Sequence, residues 1–244
     1  MIVDGLETAW IGTPAAAALV FLHEGLGSIT QWRDTPAAIA AASGIPAFVY
    51  ARQGYGKSSP VQLPRPLTYM HDEAARLPAI LAAAGITEPT LVGHSDGASI
   101  AIIAAGSGAV TPRALVLIAP HVFVEDISVE SIAKAADAYR TGDLRDRLAR
   151  HHADVDGAFW GWNRAWLDPG FRAWNLERYL SAIHAPTLII QGDADEYGTL
   201  AQVDSIAQLI HARYEVLIVE GAGHAPHRDA PALVVAKIAA FVTR

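Results

Sequence analysis

An α/β fold, with a mostly parallel central sheet and helices on both faces, is predicted by three observations. Strand-like apolar runs recur at residues 17–22, 46–50, 89–93, 114–118, 185–191 and 214–219, most of them apolar on both faces. Strands read this way when helices cover both sides of a parallel sheet. Segments with helix signals separate these runs, and the alternation breaks only between about His121 and Ile183, a span rich in aromatics and helical charge patterning. The chain is therefore divided into a core of residues 1–120 and 184–244 and a helical lid, 121–183, inserted into it.

Taken in order, Ile2-Val3-Asp4-Gly5-Leu6-Glu7 carries an Asp-Gly pair between strand-like flanks, a hairpin signal. Residues 17–22 form a buried strand, since the apolar run from Pro14 is far shorter than the ~20 residues that cross a bilayer. The glycine-rich stretch His23-Glu24-Gly25-Leu26-Gly27-Ser28 follows, where backbone N–H groups can face a ligand. A helix spans Asp34 to Ser43 and stops at Gly44, and the next spans Tyr69 to Ala84 and ends at Gly85. Helices are also expected from Ala98 onward, from Leu200 to His211 and from Pro231 to Val242. No internal repeat or low-complexity linker interrupts them.

Composition narrows the function. At 244 residues the chain suits one domain with an insertion, and without cysteine it has no thiol nucleophile, zinc–thiolate site or redox switch. A formal charge of −7 with no lysine or arginine run opposes nucleic acid and anionic membranes as partners, so a small, largely apolar substrate is expected. The opening residues lack a signal-peptide pattern, which predicts a cytoplasmic protein. Oligomeric state is not legible.

The chemistry starts at Gly93-His94-Ser95-Asp96-Gly97, between an apolar run and a helix-like segment. This fits G-x-S-x-G, a sharp strand-to-helix turn that exposes the serine hydroxyl. Side chains at positions 93 and 97 would collide across so tight a turn. A carboxylate cluster, Asp193, Asp195 and Glu196, follows the 185–191 strand, and Gly221-Ala222-Gly223-His224-Ala225-Pro226-His227 follows the 214–219 strand. Serine, acid and histidine thus each follow their own strand, in the order Ser…Asp…His.

At these residues the sequence resembles the α/β-hydrolase superfamily over essentially its whole length, and most of all bacterial serine hydrolases with an H-E-G-L-G-S oxyanion loop. The resemblance implies the α/β-hydrolase fold and a cofactor-independent, metal-free serine hydrolase with Ser95 as nucleophile. An acid three residues beyond a glycine selects Asp195 over Asp193 and Glu196, and the G-x-G-H loop selects His224 over His227. The family's R-x-G-x-G-x-S segment matches Arg52-Gln53-Gly54-Tyr55-Gly56-Lys57-Ser58. Serine is a weak nucleophile, so His224 must take its proton while Asp195 fixes the imidazole tautomer. The oxyanion needs two donors, expected from the N–H groups of Asp96 and Gly25. Glu24 stands where most relatives have glycine. It is expected to point outward as a structural anchor, the alternative being a group that binds or protonates substrate.

Other signals have plainer readings. Gly54 to Ser58 resembles a loose P-loop, but Pro60, Pro64 and Pro66 oppose the helix that must begin there, so no nucleotide is expected. His151-His152-Ala153-Asp154-Val155-Asp156 holds metal-capable residues in close order but reads as solvated lid surface beside Arg145, Arg147 and Arg150. His94 reads as a packed core histidine, and His227 stays as the rival base. The lid aromatics Trp160, Trp162, Trp166 and Trp174 form its core or line a pocket, with Trp160, Trp162, His121, Phe123 and Glu24 as pocket candidates. The expected activity is cleavage of carboxylic esters of small hydrophobic or aromatic substrates. A carbon–carbon hydrolase of aromatic ring-cleavage products, favoured if Arg33 or Arg52 faces the pocket, a lactonase and a non-catalytic ligand receptor are the alternatives.

Overall fold

The computed structural model describes residues 2–244. Its eight strands are β1 (Ile2–Val3), β2 (Leu6–Ile11), β3 (Ala17–Leu22), β4 (Ala47–Tyr50), β5 (Glu88–His94), β6 (Ala114–Ile118), β7 (Thr187–Gly192) and β8 (Tyr214–Val219). They form one sheet in the order β1-β2-β4-β3-β5-β6-β7-β8. Pairing is antiparallel from β1 to β2 and from β2 to β4, and parallel from β4 through to β8. The predicted hairpin is present, with both of its central residues, Asp4 and Gly5, at positive φ.

Strands β3 to β7 are buried on both faces because their alternate side chains enter two different cores. Val20, Leu22, Leu91, Leu115 and Ile189 pack with α2 (Tyr69–Ala83), α3 (Asp96–Gly106) and α8 (Leu200–Leu209). Leu19, Phe21, Val92, Val116 and Ile190 pack with α1 (Thr35–Ser43) and α10 (Pro231–Val242). Strand β8 is the outer edge and departs from the both-faces reading. Its Tyr214, Val216 and Ile218 stay exposed. Helix boundaries follow the sequence signals closely. Asp34 is the N-cap residue of α1 rather than its first member, and Gly44 closes that helix in the left-handed region at φ 72.

Residues between β6 and β7 form α4 (Asp126–Thr141), α5 (Leu144–Ala149), α6 (Val155–Leu167) and α7 (Glu177–Leu180), with a 3-10 turn at Pro169–Ala173. Their buried side chains join those of α2 and α3 in a single apolar cluster. No helix begins at Gly56-Lys57-Ser58; the next after β4 is α2. A 3-10 turn at Thr30–Trp32 and a short helix, α9 (Pro226–Asp229), were not anticipated from the sequence. Among the described residues no helix is long and apolar enough to cross a membrane.

From β3 the chain crosses to β4 on one side, then returns to place β5 on the other, so its path reverses between β3 and β5. Open α/β sheets present ligand sites beyond the carboxyl ends of strands at such a reversal. Leu22 is in register with Gly93, which sets the 23–27 loop beside the 93–97 turn. The fit there is tight. A Cβ on Gly97 would run into the backbone of Leu22 and His23, and one on Gly93 into the backbone of Gly97 and Ala98. Gly97→Ala is expected to cost about 1–3 kcal/mol through overpacking, seen as a lower denaturant midpoint. A wild-type midpoint would contradict the contact between α3 and the end of β3.

Candidate active site

Ser95 is held at φ 53 and ψ −120 between the last residue of β5 and the first of α3. Its N–H donates to Ile118 O at 2.9 Å, which ties the turn to the end of β6. A serine in the left-handed region is strained, and here neighbouring strands and the glycine contacts hold it there. Its hydroxyl borders a cavity of about 120 Å3 together with His224, Gly25 and Asp96.

The Asp195 carboxylate accepts from Gln191 Nε2 at 2.7 Å and from the Tyr197 and Gly198 N–H groups at 2.7 and 3.2 Å. It also lies 2.8 and 2.9 Å from His224 Nδ1. Burial works to raise the Asp195 pKa, but His224 and the Tyr197 N–H outweigh it and hold the group below the usual carboxylate value. An ionised carboxylate only accepts, so Nδ1 carries the imidazole proton. Nε2 of His224, a residue that borders the cavity, is left as the acceptor. Asp193 and Glu196 serve the loop instead, accepting from the N–H groups of Gly221 and His224.

Neither the Asp96 nor the Gly25 N–H has an acceptor among the described residues. Position 25 has no room for a side chain, because a Cβ there would collide with the Trp162 indole. The Asp96 carboxylate turns inward, accepting from Tyr69 Oη at 2.6 Å and Trp166 Nε1 at 3.2 Å. Burial raises its pKa although Arg52 lies 4.0 Å away. Through Trp166 this one carboxylate fastens α6 to the first turn of α3.

Glu24 is not turned outward. Its carboxylate is taken up by Arg228 Nη2 at 3.1 Å and by His94 Nδ1 at 3.5 Å, while the residue still borders the cavity. Burial opposes its ionisation, but His94 and Arg228 hold its pKa well below the usual carboxylate value. It is an anchor, directed sideways into the protein. His94 is the packed histidine the sequence predicts. Its Nε2 lies 2.7 Å from His224 O, and a carbonyl can only accept, so that nitrogen carries a hydrogen.

His227 does not reach the cavity. It lies buried against Trp32 and His94, and burial pushes its pKa down to about 2. His121 and Trp162 border the cavity as expected, with the His121 ring between Trp166 and His224 and its pKa lowered by burial to about 3. Phe123 and Trp160 lie outside it. Phe123 bridges to Asn175, and Trp160 faces outward under the guanidinium groups of Arg140 and Arg164. Arg52 is fully buried, donating to Glu24 O at 2.8 Å, and Arg33 borders a separate crevice.

The 151–152 pair corrects the surface reading. His152 is buried, accepting from Gly56 N–H at 3.0 Å and donating to Leu26 O at 2.9 Å, because the end of α5 docks onto the core loops. Sequence reasoning also missed Ser128, Ile132 and Tyr197 on the cavity wall. Tyr197 sits two residues past Asp195, while nothing in the α4 sequence distinguishes Ser128 and Ile132 from other buried positions. Among the described residues no group of three or more histidine, cysteine or acidic side chains is arranged to hold a metal ion.

The family described as "Alpha/beta hydrolase family" matches residues 19–237. The chain belongs to that family. No curated protein matches it. Among solved structures it is similar to a carboxylesterase structure from Nitrososphaera gargenis, at TM-score 0.79 and 18% identity, covering 100% of this chain and 98% of the other. The enol-lactonase from Burkholderia xenovorans matches at TM-score 0.76 and 20% identity, over 98% and 96% of the chains. A hydrolase from Pseudomonas aeruginosa matches at 0.76 and 18%, over 98% and 94%. At such identities these likenesses establish the family's fold and nothing finer.

The buried histidines of this family member carry a pH consequence. His23, His121, His152 and His227 all have pKa values lowered from 6.5, each chiefly by burial. Below that value the unfolded chain binds protons these groups refuse, so stability falls as pH falls. Asp96 and Glu73, raised by burial, act in the opposite sense but are outnumbered. The melting temperature is expected to be level above about pH 7 and to decline below about pH 6.5. A melting temperature that rises from pH 7 to pH 5 would contradict the neutral buried imidazoles.

Proposed function

We propose that this protein is a serine hydrolase that cleaves carboxylic esters with a short acyl group. The observation that carries the reading is the Asp195–His224 pair. Its tautomer leaves Nε2 as a proton acceptor on the same cavity wall as the strained Ser95. Ser95 Oγ attacks the ester carbonyl carbon as His224 takes the hydroxyl proton. The tetrahedral oxyanion is met by the N–H groups of Asp96 and Gly25. Collapse expels the alcohol, which leaves with the proton from His224. A water, deprotonated by the same imidazole, then opens the acyl-enzyme and releases the acid.

Cavity size argues for a short acyl group. About 120 Å3 is less than the roughly 150 Å3 that accommodates benzene. Part of its wall comes from α4 and α6, consistent with residues 121–183 acting as a lid over a core of 1–120 and 184–244. A carbon–carbon hydrolase gains no support, because neither Arg33 nor Arg52 borders the cavity to hold a substrate carboxylate. An ester or lactone fits the same machinery, and the fold does not separate them.

Steady-state hydrolysis of p-nitrophenyl esters of increasing acyl length tests this. Acetyl and propionyl esters are expected to turn over many times, with kcat/KM falling as the chain outgrows the cavity. Ser95→Ala is expected to lower kcat on the order of 10⁶-fold, and Asp195→Ala roughly 10⁴-fold. Equal activity in wild type and Ser95→Ala would end the serine-hydrolase reading.

A further inference from the structure

Beside the catalytic cavity, between the 30–33 turn, α5 and α9, lies a second crevice of about 450 Å3. Arg33, Arg147, Arg150 and Arg228 line it, with His151 and Thr30. This concentration of positive charge stands out in a chain whose formal charge is −7. Among the described residues no carboxylate lies within 4 Å of the Arg33 or Arg150 guanidinium groups, since neither takes part in an ion pair. Arg147 has only the exposed Asp143 at 3.6 Å, and Arg228 shares Glu24 and donates to Gln31 O at 2.7 Å. The Thr30 hydroxyl is 2.8 Å from His151 Nδ1. The pKa of His151 is lowered by burial first and then by Arg228 and Arg150, which favours the neutral ring beside these cations.

Like charges gathered in a concave site repel one another until an anion joins them, and guanidinium forks match phosphate oxygens in pairs. A monocarboxylate would leave most of these donors unused. We propose that this crevice is an anion-binding subsite that takes the phosphate or diphosphate group of a ligand. Arg228 connects it to the catalytic cavity, because its partner Glu24 borders that cavity. A phosphate seated in the crevice is therefore one ion pair from the Ser95 site. This makes the subsite fit to hold the leaving half of an ester or thioester whose alcohol or thiol carries phosphate, an extension that rests on the proposed hydrolase function. Binding itself does not.

Calorimetric titration of the full chain with inorganic pyrophosphate is the direct test. Saturable one-to-one binding is expected, weakened at least tenfold in the Arg33→Ala/Arg150→Ala double variant, whose substituted side chains are exposed. Arg213→Ala, at the opposite end of the sheet and beside Glu215, is expected to bind as wild type does. No saturable binding, or equal affinity in the double variant with an unchanged melting temperature, overturns the proposal. Ser95→Ala separates the two ideas. Pyrophosphate binding retained in that variant supports the subsite whatever its hydrolysis assay gives, while hydrolysis without pyrophosphate binding sinks the subsite alone. With an acetyl ester of a phosphorylated alcohol as substrate, pyrophosphate that raises KM at constant kcat identifies the anion as part of the substrate. A KM that does not respond identifies a free phosphate ligand.

Discussion

The site depends on how closely the first turn of α3 lies against the end of β3. With hydrogen as the only substituent at Gly93 and Gly97, helix and strand approach until a Cβ would enter backbone atoms. That approach forces Ser95 into its strained conformation and brings the Asp96 N–H beside the loop that supplies the Gly25 N–H. A looser junction would leave the same residues in the sequence and no common focus for them. The fold therefore concentrates its strain at one turn and secures it with ordinary sheet hydrogen bonds on both sides.

Around this turn the protein keeps several imidazoles close together and distinguishes them by their partners. His224 alone combines an ionised carboxylate on one nitrogen with an open cavity at the other. His94 is committed to a carbonyl and to Glu24, His227 is sealed among aromatic rings, and His121 is kept neutral by burial. Chemical identity is the same in each case. Proton affinity and direction are assigned by the neighbours.

The sequence made legible what depends on local pattern. Continuous apolar strands, the glycines flanking Ser95 and the loops after β7 and β8 were sufficient to assemble the sheet and to bring Asp195 to His224. What it left hidden depends on contacts between distant segments. Glu24 was expected outward because a carboxylate beside a developing oxyanion is repulsive, and the partner that holds it sideways, Arg228, lies 204 positions away. His152 looked like surface within a run of charges, yet it docks on Gly56 and Leu26. Trp160 was as aromatic as Trp162 and Trp166, and only the rotation of α6 about its own axis decides which of these rings face inward, while Phe123 is drawn aside by its bridge to Asn175. Ser128 and Ile132 reach the cavity because of where α4 comes to rest, a position no local motif encodes.

The way the helices between β6 and β7 are fastened has a consequence for traffic through the site. Trp166 is bonded to the buried carboxylate of Asp96, and His152 is bonded to backbone at both of its ring nitrogens. Lifting the helical segment as one body would break both attachments together and expose a buried carboxylate. Rearrangements of individual cavity side chains leave both attachments intact, and such motions are faster than the swing of a hinged domain. A molecule's fit to the cavity as it stands, rather than the frequency of a large opening, would then govern what is accepted.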